Sequence, residues 1–511
     1  MFQSVTPKLA MEFNSLLLLS PLLFCFTSIL LYIANRSINK QKRLPPGPKG
    51  LPIIGNLLKL GDRPHESLTM LAKIHGPLMT IKLGRVTTVV ASSAEMAREI
   101  LQKNDQAFLS RPIPDAATAE TDYQHSVIWT PGGPKWQKLR KLLNNQVLTP
   151  QRLDALQELR HQMMENMLKR VFEAREAGEA IYIGRLVFGT SLSLLSNMSF
   201  SADVLDPNSK EVKELKDLIQ MILELVGKPN LADFFPILKP FDPQRIRRDI
   251  KRGYDGLHSL IENNIDRRMK QRASSIERSG DFLDALLDHS EQYGPDELDR
   301  REVRLLLMDL FIGGTDTSSA TVEWVMTELL HNPEKMAKVK QELVEKIGPG
   351  FSVKEADILQ LPYLDAVLKE TMRLHPAAPL ITHSAMTDVQ LCGFVIPKHT
   401  QVMVNAWSIT RDTAYWKDPT IFLPERFLNS DLDFRGRDLY FIPFGAGRRI
   451  CPGLPLAVRI VKLLLATLVH NFDWKLPNGM EPKDMDMRDK FGLTLEKAKP
   501  LAAIPMRVSN C

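Results

Sequence analysis

The chain has 511 residues, 44% hydrophobic and 25% charged, which is typical of a globular protein and excludes disordered chains, collagen, coiled coils and membrane proteins with many spans. Its four cysteines are too few for a disulfide scaffold or a cysteine-rich zinc site. The net charge is +6, but the first 43 residues contribute +4 of it, so the rest of the chain is not basic enough to predict nucleic-acid binding.

The N-terminus contains a long uncharged segment between Glu12 and Arg36. As a helix, its apolar part Leu16–Ala34 spans roughly 30 Å, the thickness of the hydrocarbon core of a bilayer. A cleaved signal peptide would have a shorter apolar stretch, and a buried globular helix is rarely apolar on every face. The sequence therefore predicts one transmembrane helix within residues 1–35. The basic residues in 36–43 indicate that the following domain faces the cytosol.

Proline dominates the next segment, which includes Pro45-Pro46-Gly47-Pro48. Because proline fixes φ and stiffens the chain, we interpret residues 36–55 as a basic, proline-rich hinge that orients the domain on the bilayer. A plain linker is the simpler interpretation.

Residues 56–511 show neither an internal repeat nor a break in composition, so we expect a single domain. Leu78–Val90 predicts a β-hairpin, and further strands are predicted near Gln390–Ile396 and Gln401–Asn405. Helical patterns dominate the remainder and fall at 152–178, 210–228, 253–271, 301–331 and 333–347. No glycine-rich phosphate loop follows a strand, so we do not expect the chain itself to bind a dinucleotide.

A cysteine near the C-terminus has an unusual setting. Phe444–Gly453 contains three glycines and Cys451, and an apolar helix is predicted at Leu454–Val469. Backbone N–H groups and a helix N-terminus stabilise a thiolate, and glycines let the backbone approach a bound group closely. A buried, inert cysteine is the alternative.

The fixed positions of this loop resemble the haem-binding loop of the cytochrome P450 family of haem-thiolate monooxygenases. The matching residues are Phe444, Gly447, Arg449, Cys451 and Gly453. The resemblance implies a mainly α fold, a single P450-type haem domain with small peripheral β-sheets after the transmembrane helix. It also implies haem b as cofactor, with Cys451 as the iron ligand and Arg449 paired with a propionate. Thiolate ligation favours cleavage of the O–O bond.

Three more residues resemble a supporting triad of the family. Glu370 and Arg373 lie one helical turn apart, so their charges can pair, and Arg426 in Pro424-Glu425-Arg426-Phe427 would complete the triad. We expect these residues to support the haem loop and to take no part in the chemistry.

By the same resemblance, Trp136 and Arg140 are expected to contact a haem propionate. His383 occupies the position of a further propionate contact, although Thr382 replaces the proline that usually precedes it.

Phe311–Ser318 resembles the oxygen-binding helix of the family. Gly313 and Gly314 lie inside a helical pattern, where each costs about 1 kcal/mol relative to alanine. A groove that leaves room for O2 offsets this cost. The resemblance implies that Asp316 and Thr317 deliver protons, since a hydroxyl and a carboxyl can relay them from water.

The chain resembles plant microsomal members of the family, and within them the geraniol 8-hydroxylase and ferruginol synthase group. Leu51–Leu57, Lys228–Phe235 and Lys490–Thr494 carry this similarity. That group oxidises terpenoids, so we expect a terpenoid substrate, either a monoterpenol or a diterpene.

The substrate pocket is expected to be mostly apolar, which favours a neutral lipophilic molecule. Arg111 is the only basic residue in the segments expected to form its walls. The predicted wall residues are Phe108, Ile113, Val127, Phe311, Ile312, Gly313, Ala377, Leu380, Ile381 and Leu493.

The resemblance implies a monooxygenase of the endoplasmic reticulum membrane that uses O2. The chain has no flavin or nicotinamide motif, so its electrons must come from a separate NADPH-dependent cytochrome P450 reductase. Candidates for the docking surface are Lys135, Lys138, Lys141 and Arg448, with plain solvated charge as the alternative.

Other functions are also compatible with a haem-thiolate chain. They are oxidation of a non-terpenoid lipophile, an isomerase or dehydratase that does not use O2, and a haem protein that only binds or senses. The acid–alcohol pair Asp316-Thr317 argues against an isomerase or dehydratase, which typically lacks it.

Overall fold

The computed structural model describes residues 44–201, 210–274 and 278–508. The predicted transmembrane helix (1–35) and the basic start of the hinge (36–43) lie outside these residues.

The described residues form a mainly helical domain, as predicted. Sixteen α-helices occur in this part of the chain: α1 Pro64–His75, α2 Ala94–Arg98, α3 Pro134–Leu142, α4 Pro150–Ala155, α5 Gln157–Ala177, α6 Ile183–Phe200, α7 Lys210–Gly227, α8 Leu231–Phe234, α9 Ile246–Ser274, α10 Phe282–Tyr293, α11 Arg300–Gly314, α12 Asp316–His331, α13 Pro333–Ile347, α14 Pro362–Leu374, α15 Ala406–Ile409 and α16 Leu454–Asn471.

Eleven short strands in the described residues form four small sheets. They are β1 Leu78–Leu83, β2 Val86–Ala91, β3 Ile181–Tyr182, β4 Leu380–Ser384, β5 Val389–Leu391, β6 Phe394–Ile396, β7 Gln401–Asn405, β8 Asp473–Lys475, β9 Asp489–Lys490, β10 Glu496–Lys497 and β11 Ala502–Met506. The largest sheet has the order β1-β2-β7-β4, in which only the β2–β7 pair is parallel. The other sheets are β3-β11-β8, β5-β6 and β9-β10.

Most predicted elements are present with small shifts. The hairpin at 78–90 is β1–β2, the strand at Gln401–Asn405 is β7 and the helix at 333–347 is α13. Two long helical patterns are divided. The pattern at 152–178 is split into α4 and α5, and the one at 301–331 is interrupted at Thr315, so the expectation of one continuous helix there was wrong.

The core lies around α6, α12 and α16. All residues from Thr190 to Phe200 are buried, as are all from Ser318 to Leu330. Among the described helices, α16 alone is long and apolar enough to cross a membrane, and 61% of it is buried inside the domain. Its apolar composition therefore belongs to a core helix, which starts directly after the Cys451 loop.

Candidate active site

A backbone hydrogen bond closes the loop that carries Cys451. The N–H of Cys451 donates to the carbonyl oxygen of Phe444 at 2.9 Å. Gly447 has a φ of 68°, and a Cβ built on it would lie 1.8 Å from the carbonyl oxygen of Leu101. Only glycine fits this position, so the close contact with the π-helical turn Glu99–Lys103 requires the glycine of the motif.

The Cys451 thiol lies at the N-terminus of α16. Burial raises the pKa of the thiol, whereas hydrogen bonds from the backbone N–H groups of Gly453 and Leu454 and the charges of Arg140 and Arg111 lower it. Burial is the largest of these effects, so the pKa of the thiol is raised overall, and the thiolate would need a bound cation that the backbone N–H groups and arginines then assist.

Arg449 ties the cysteine loop to another segment of the chain. Its guanidinium donates to the carbonyl oxygens of Leu109 at 2.7 Å, Val127 at 3.2 Å and Thr130 at 2.7 Å. Its Cζ lies 4.3 Å from the centre of the Trp136 ring, within the range of a cation–π contact. Arg449 thereby positions the segment around residues 109–130 against the loop.

Burial lowers the pKa of Arg449 to about 9, and the charges of two nearby arginines add to this effect. These are Arg111 and Arg140, and burial lowers the pKa of each. Neither forms an ion pair within the described residues. His383 is buried nearby, and its Nδ1 lies 2.7 Å from the carbonyl oxygen of Phe108. Burial and the charges of Arg111 and Arg449 lower the pKa of His383 to about 3, so its imidazole is neutral.

The break between α11 and α12 occurs at the predicted oxygen-binding motif. The Thr317 hydroxyl donates to the carbonyl oxygen of Gly313 at 2.8 Å. A Cβ built on Gly313 would meet no atom within 4 Å, whereas one on Gly314 would lie 2.9 Å from Cδ1 of Leu195. The two glycines thus serve different purposes: Gly313 leaves open space beside Thr317, and Gly314 allows close packing on α6.

Asp316 has its side-chain partners in the C-terminal part of the chain. Its carboxyl group forms side-chain hydrogen bonds with Thr494 and Glu496, and burial raises its pKa. The Asp316 carboxyl and the Thr317 hydroxyl therefore have different partners, and the proton-delivery role that the sequence predicts for the pair stays a prediction.

Asp309, on α11, holds the segment that Arg449 also binds. It accepts hydrogen bonds from the Ser126 hydroxyl at 2.7 Å and from the Val127 N–H at 2.6 Å. Burial raises the pKa of Asp309 to about 7. The segment around Val127 is consequently held from both sides, by α11 and by the cysteine loop.

The structure brings the three residues of the predicted triad together. Glu370 pairs with Nε of Arg373 at 2.7 Å and with Nε of Arg426 at 3.0 Å, and it accepts the Leu423 N–H at 2.8 Å. Glu370 and Arg373 are fully buried. Removing one partner from such an arrangement lowers the free energy of unfolding by several kcal/mol, because a buried charge is left unpaired.

Aromatic side chains connect the triad to the cysteine loop. The Arg373 guanidinium lies 5.2 Å from the centre of the Trp416 ring, and Trp416 contacts Phe441 edge-on at 6.5 Å. The ring centres of Phe441 and Phe434 lie 6.1 Å apart, and those of Phe434 and Phe444 lie 5.9 Å apart. This continuous packing gives the triad a physical route to support the loop, although that role is still a prediction.

A sequence model of the cytochrome P450 family matches residues 45–502. The chain belongs to the cytochrome P450 family. Geraniol 8-hydroxylase of Swertia mussotii is 50% identical over 483 residues, which cover 94% of this chain and 97% of that protein. The geraniol 8-hydroxylase of Catharanthus roseus is 49% identical over 95% of this chain and 98% of its own length. Drimenol monooxygenase of Persicaria hydropiper is 44% identical over 94% of this chain and 95% of its own length.

Among solved structures, a zebra fish cytochrome P450 determined with progesterone has a TM-score of 0.75 and 25% identity. It covers 87% of this chain and 99% of its own. The similarity to the cytochrome P450 family, and within it to the geraniol 8-hydroxylases, confirms what the motifs predicted. The chain is thus an enzyme of the monooxygenase class.

The residues around Cys451 in this cytochrome P450 fit a haem. Nε1 of Trp136 is buried and has no hydrogen-bond partner among the described residues. Arg111 and Arg140 form no ion pair with a carboxylate in the same part of the chain, although the charge of Asp309 acts on Arg111. Unpartnered donors and cations are costly when buried, and the two propionates of a haem would satisfy them. Cys451 would supply the thiolate that the iron requires.

The predicted pocket residues differ in their accessibility. Phe311 is fully buried and stacks on Phe200 with ring centres 5.9 Å apart. Phe108 is buried in a separate cluster beneath the largest sheet, and Val127 is also buried. We therefore do not include these three side chains in the proposed pocket wall. Leu493 is 42% exposed and Gly313 is also exposed, and the partly accessible residues are Ile113, Ile312, Ala377, Leu380 and Ile381.

Three residues gain importance from the structure alone. Arg111 was expected in the pocket wall, but it lies with Arg140 and Arg449 near the thiol. Asp309 anchors a loop, and Glu496 binds Asp316. The sequence indicated none of these contacts, because each joins segments that are distant along the chain.

Proposed function

We propose that this cytochrome P450 is a membrane-bound monooxygenase that hydroxylates a terpenoid, either a monoterpenol or a diterpene. The observation that carries this proposal is the 50% identity to geraniol 8-hydroxylase over 94% of the chain. Drimenol monooxygenase and geranylhydroquinone 3''-hydroxylase are further relatives, at 44% and 45% identity. The apolar side chains of the proposed pocket wall support a neutral lipophilic substrate, since such surfaces bind by apolar area.

The proposed reaction converts substrate, O2, NADPH and one proton into alcohol, water and NADP+. One C–H bond is replaced by C–O–H, and the second oxygen atom leaves as water with two electrons and two protons. Haem bound through Cys451 would supply the iron that activates O2. The chain's own part would be to hold the propionates with Trp136, Arg111, Arg140 and Arg449, and to move protons through Thr317 and Asp316.

We also propose a separate NADPH-dependent reductase as the electron source, because the chain has no flavin or nicotinamide motif. Of the predicted docking residues, Lys138 pairs with Glu302 at 3.0 Å and Arg448 with Asp105 at 3.2 Å. Lys141 is exposed, so it is the first residue to test by substitution.

Attachment to the endoplasmic reticulum, with the domain facing the cytosol, is supported by exposed apolar side chains. Ile53 is 60% exposed, Ile237 76% and Phe241 74%. The turn of the β1–β2 hairpin connects the segment around Ile53 with the segment around Ile237. The N–H of Gly84 donates to the carbonyl oxygen of Ile54, and the N–H of Arg85 donates to the carbonyl oxygen of Phe234. An apolar patch next to the predicted anchor is suited to contact with lipid.

The test uses microsomes that contain this protein and a plant reductase, with haem content measured from the carbonyl spectrum of the reduced protein. Geraniol and an aromatic abietane diterpene are supplied with NADPH, and products are identified by mass spectrometry. A hydroxylated monoterpenol or a phenolic diterpene is the expected result and identifies the substrate class.

Two other outcomes separate the alternatives. If haem is intact and neither compound is oxidised, the terpenoid proposal fails, and 7-ethoxycoumarin tests a non-terpenoid lipophile, since 7-ethoxycoumarin O-deethylase of Helianthus tuberosus is 44% identical. If product forms without NADPH and O2, the enzyme is an isomerase or dehydratase.

A further inference from the structure

A pair of carboxyl groups lies where the start of α12 packs against the β9–β10 hairpin. Asp316 forms side-chain hydrogen bonds with Glu496 and with Thr494. In the antiparallel register of the hairpin, Glu496 lies opposite Lys490. Two carboxyl groups in hydrogen-bond contact need a proton between them, because two adjacent carboxylates repel each other.

Hydrogen bonds on both sides hold the hairpin in place. Nε1 of Trp324, on α12, donates to the carbonyl oxygen of Leu495 at 3.1 Å. The N–H of Leu495 donates to the carbonyl oxygen of Ala377 at 3.0 Å. Since Leu495 directly precedes Glu496, these bonds fix the position of the Glu496 backbone relative to α12. The contact between the two carboxyl groups is therefore part of the packed structure.

Five charged groups face one another at this point: Asp316 and Glu323 from α12, Lys490 from β9, and Glu496 and Lys497 from β10. Burial and the charge of Asp316 raise the pKa of Glu496 to about 7. Glu323 is committed elsewhere, because it accepts the N–H of Leu501 at 2.7 Å. The proton is thus shared between Asp316 and Glu496.

Within this group, the side of the hairpin that carries Lys490 is the one open to solvent. Asp316 and Glu496 are partly buried and Thr494 is buried, whereas Lys490 is exposed. On the other side, Asp316 is next to Thr317, whose hydroxyl lies beside the open space at Gly313. The arrangement therefore extends from the surface, through the two carboxyl groups, to the residue that precedes Thr317 in the chain, while the Thr317 hydroxyl itself is bonded to Gly313.

We propose that Glu496 is a proton-relay residue, which takes protons from solvent near Lys490 and passes them to Asp316 during turnover. This inference rests on the proposed role of Asp316 and Thr317 in proton delivery. Each turnover consumes two protons, which leave in the water formed from O2 with two electrons from NADPH. A proton leaving Glu496 for Asp316 is replaced from solvent, so the pair returns to its starting state.

The test compares Glu496→Gln, Glu496→Asp and the control Glu481→Gln. Glutamine keeps the hydrogen bond but carries no exchangeable acid proton, whereas aspartate restores the acid. Glu481 is 62% exposed and, within the described part of the chain, pairs only with Lys483, so the control removes an equal charge from the same end of the chain. The primary readout is product formed per NADPH consumed, with peroxide measured in parallel and haem checked by the carbonyl spectrum.

We expect Glu496→Gln to lower product per NADPH about tenfold and to raise peroxide. Complete loss of a positioned acid typically costs about 100-fold or more, and the effect should be smaller here because Asp316 is retained. In the wild type, product per NADPH should fall as the pH rises through about 7, where Glu496 loses its proton. Glu496→Gln should remove this dependence, Glu496→Asp should restore it, and Glu481→Gln should behave as the wild type.

A second readout does not depend on turnover or on the substrate. Infrared difference spectra of the resting protein between pH 6 and 8 should show a protonated carboxyl group that titrates near pH 7 and is missing in Glu496→Gln. Unchanged coupling in a haem-replete Glu496→Gln variant would overturn the relay, as would absence of this carboxyl signal from the wild type. If the wild type oxidises no terpenoid, the proposed substrate fails, but the infrared result still decides the inference.

Discussion

The adjacent glycines at the end of α11 are expected to respond in opposite ways to alanine. A methyl group on Gly313 would meet no atom within 4 Å, whereas one on Gly314 would lie 2.9 Å from Cδ1 of Leu195. Leu195 is 2% exposed in the main core, so its side chain has little room to move aside. The two variants therefore make the same chemical change in a different packing environment.

The size of the effect follows from two terms. Alanine in place of glycine inside a helix contributes up to about 1 kcal/mol of stability. Overpacking a well-packed core costs about 1–3 kcal/mol. The helix term is common to both variants, so Gly314→Ala should be less stable than Gly313→Ala by about 1–3 kcal/mol. Gly313→Ala should be as stable as the wild type or more stable by up to about 1 kcal/mol.

Urea unfolding followed by circular dichroism measures this difference, provided that the slope of the transition is the same for both variants. Adding Leu195→Val to Gly314→Ala should recover part of the loss, which a double-mutant cycle quantifies. Gly313→Ala should also alter the product ratio, since its methyl group lies beside Thr317. If Gly314→Ala is as stable as Gly313→Ala and Leu195→Val gives no recovery, the packing argument is wrong.

Four further substitutions address the site. Cys451→Ala should abolish the thiolate-type carbonyl spectrum of the reduced protein. Thr317→Ala should keep that spectrum but divert NADPH electrons to peroxide. Glu370→Ala should lower the free energy of unfolding by about 3–5 kcal/mol, because the buried Arg373 and the partly buried Arg426 lose their partner. In the matched control, Glu425→Ala removes a partly exposed carboxylate and should cost about 1 kcal/mol. Trp136→Phe removes a hydrogen bond worth about 1.5–3 kcal/mol to a charged group, so haem transfer to apomyoglobin should be roughly ten- to a hundredfold faster.

Each of these has an outcome that contradicts it. A thiolate-type spectrum in Cys451→Ala would mean that another residue ligates the iron. Full coupling in Thr317→Ala would remove the threonine from proton delivery. Equal losses for Glu370→Ala and Glu425→Ala would show that burial of the triad contributes nothing, and unchanged haem transfer in Trp136→Phe would exclude the propionate contact.

The cysteine loop was predictable because its requirements are local. The glycines, Arg449 and Cys451 lie within ten residues, and their spacing alone identifies the family that the comparisons then confirm. The β1–β2 hairpin and the helix Pro333–Ile347 were also predictable, since alternation and helical periodicity are properties of consecutive residues. Such features are stabilised mainly by interactions between residues that are near one another in sequence.

The interruption at Thr315 was not visible, because helical periodicity continues through it. Arg111 resembled an isolated basic residue of the pocket until folding placed it beside Arg140 and Arg449. The contact of Asp316 with Glu496 depends on how the β9–β10 hairpin packs on α12. The sequence by itself determined the family and the helical class, and it predicted the thiolate ligand. Tertiary structure alone decided which charged groups lie close together. Burial and Coulomb interaction depend on distances through space, and these distances do not follow from positions along the chain.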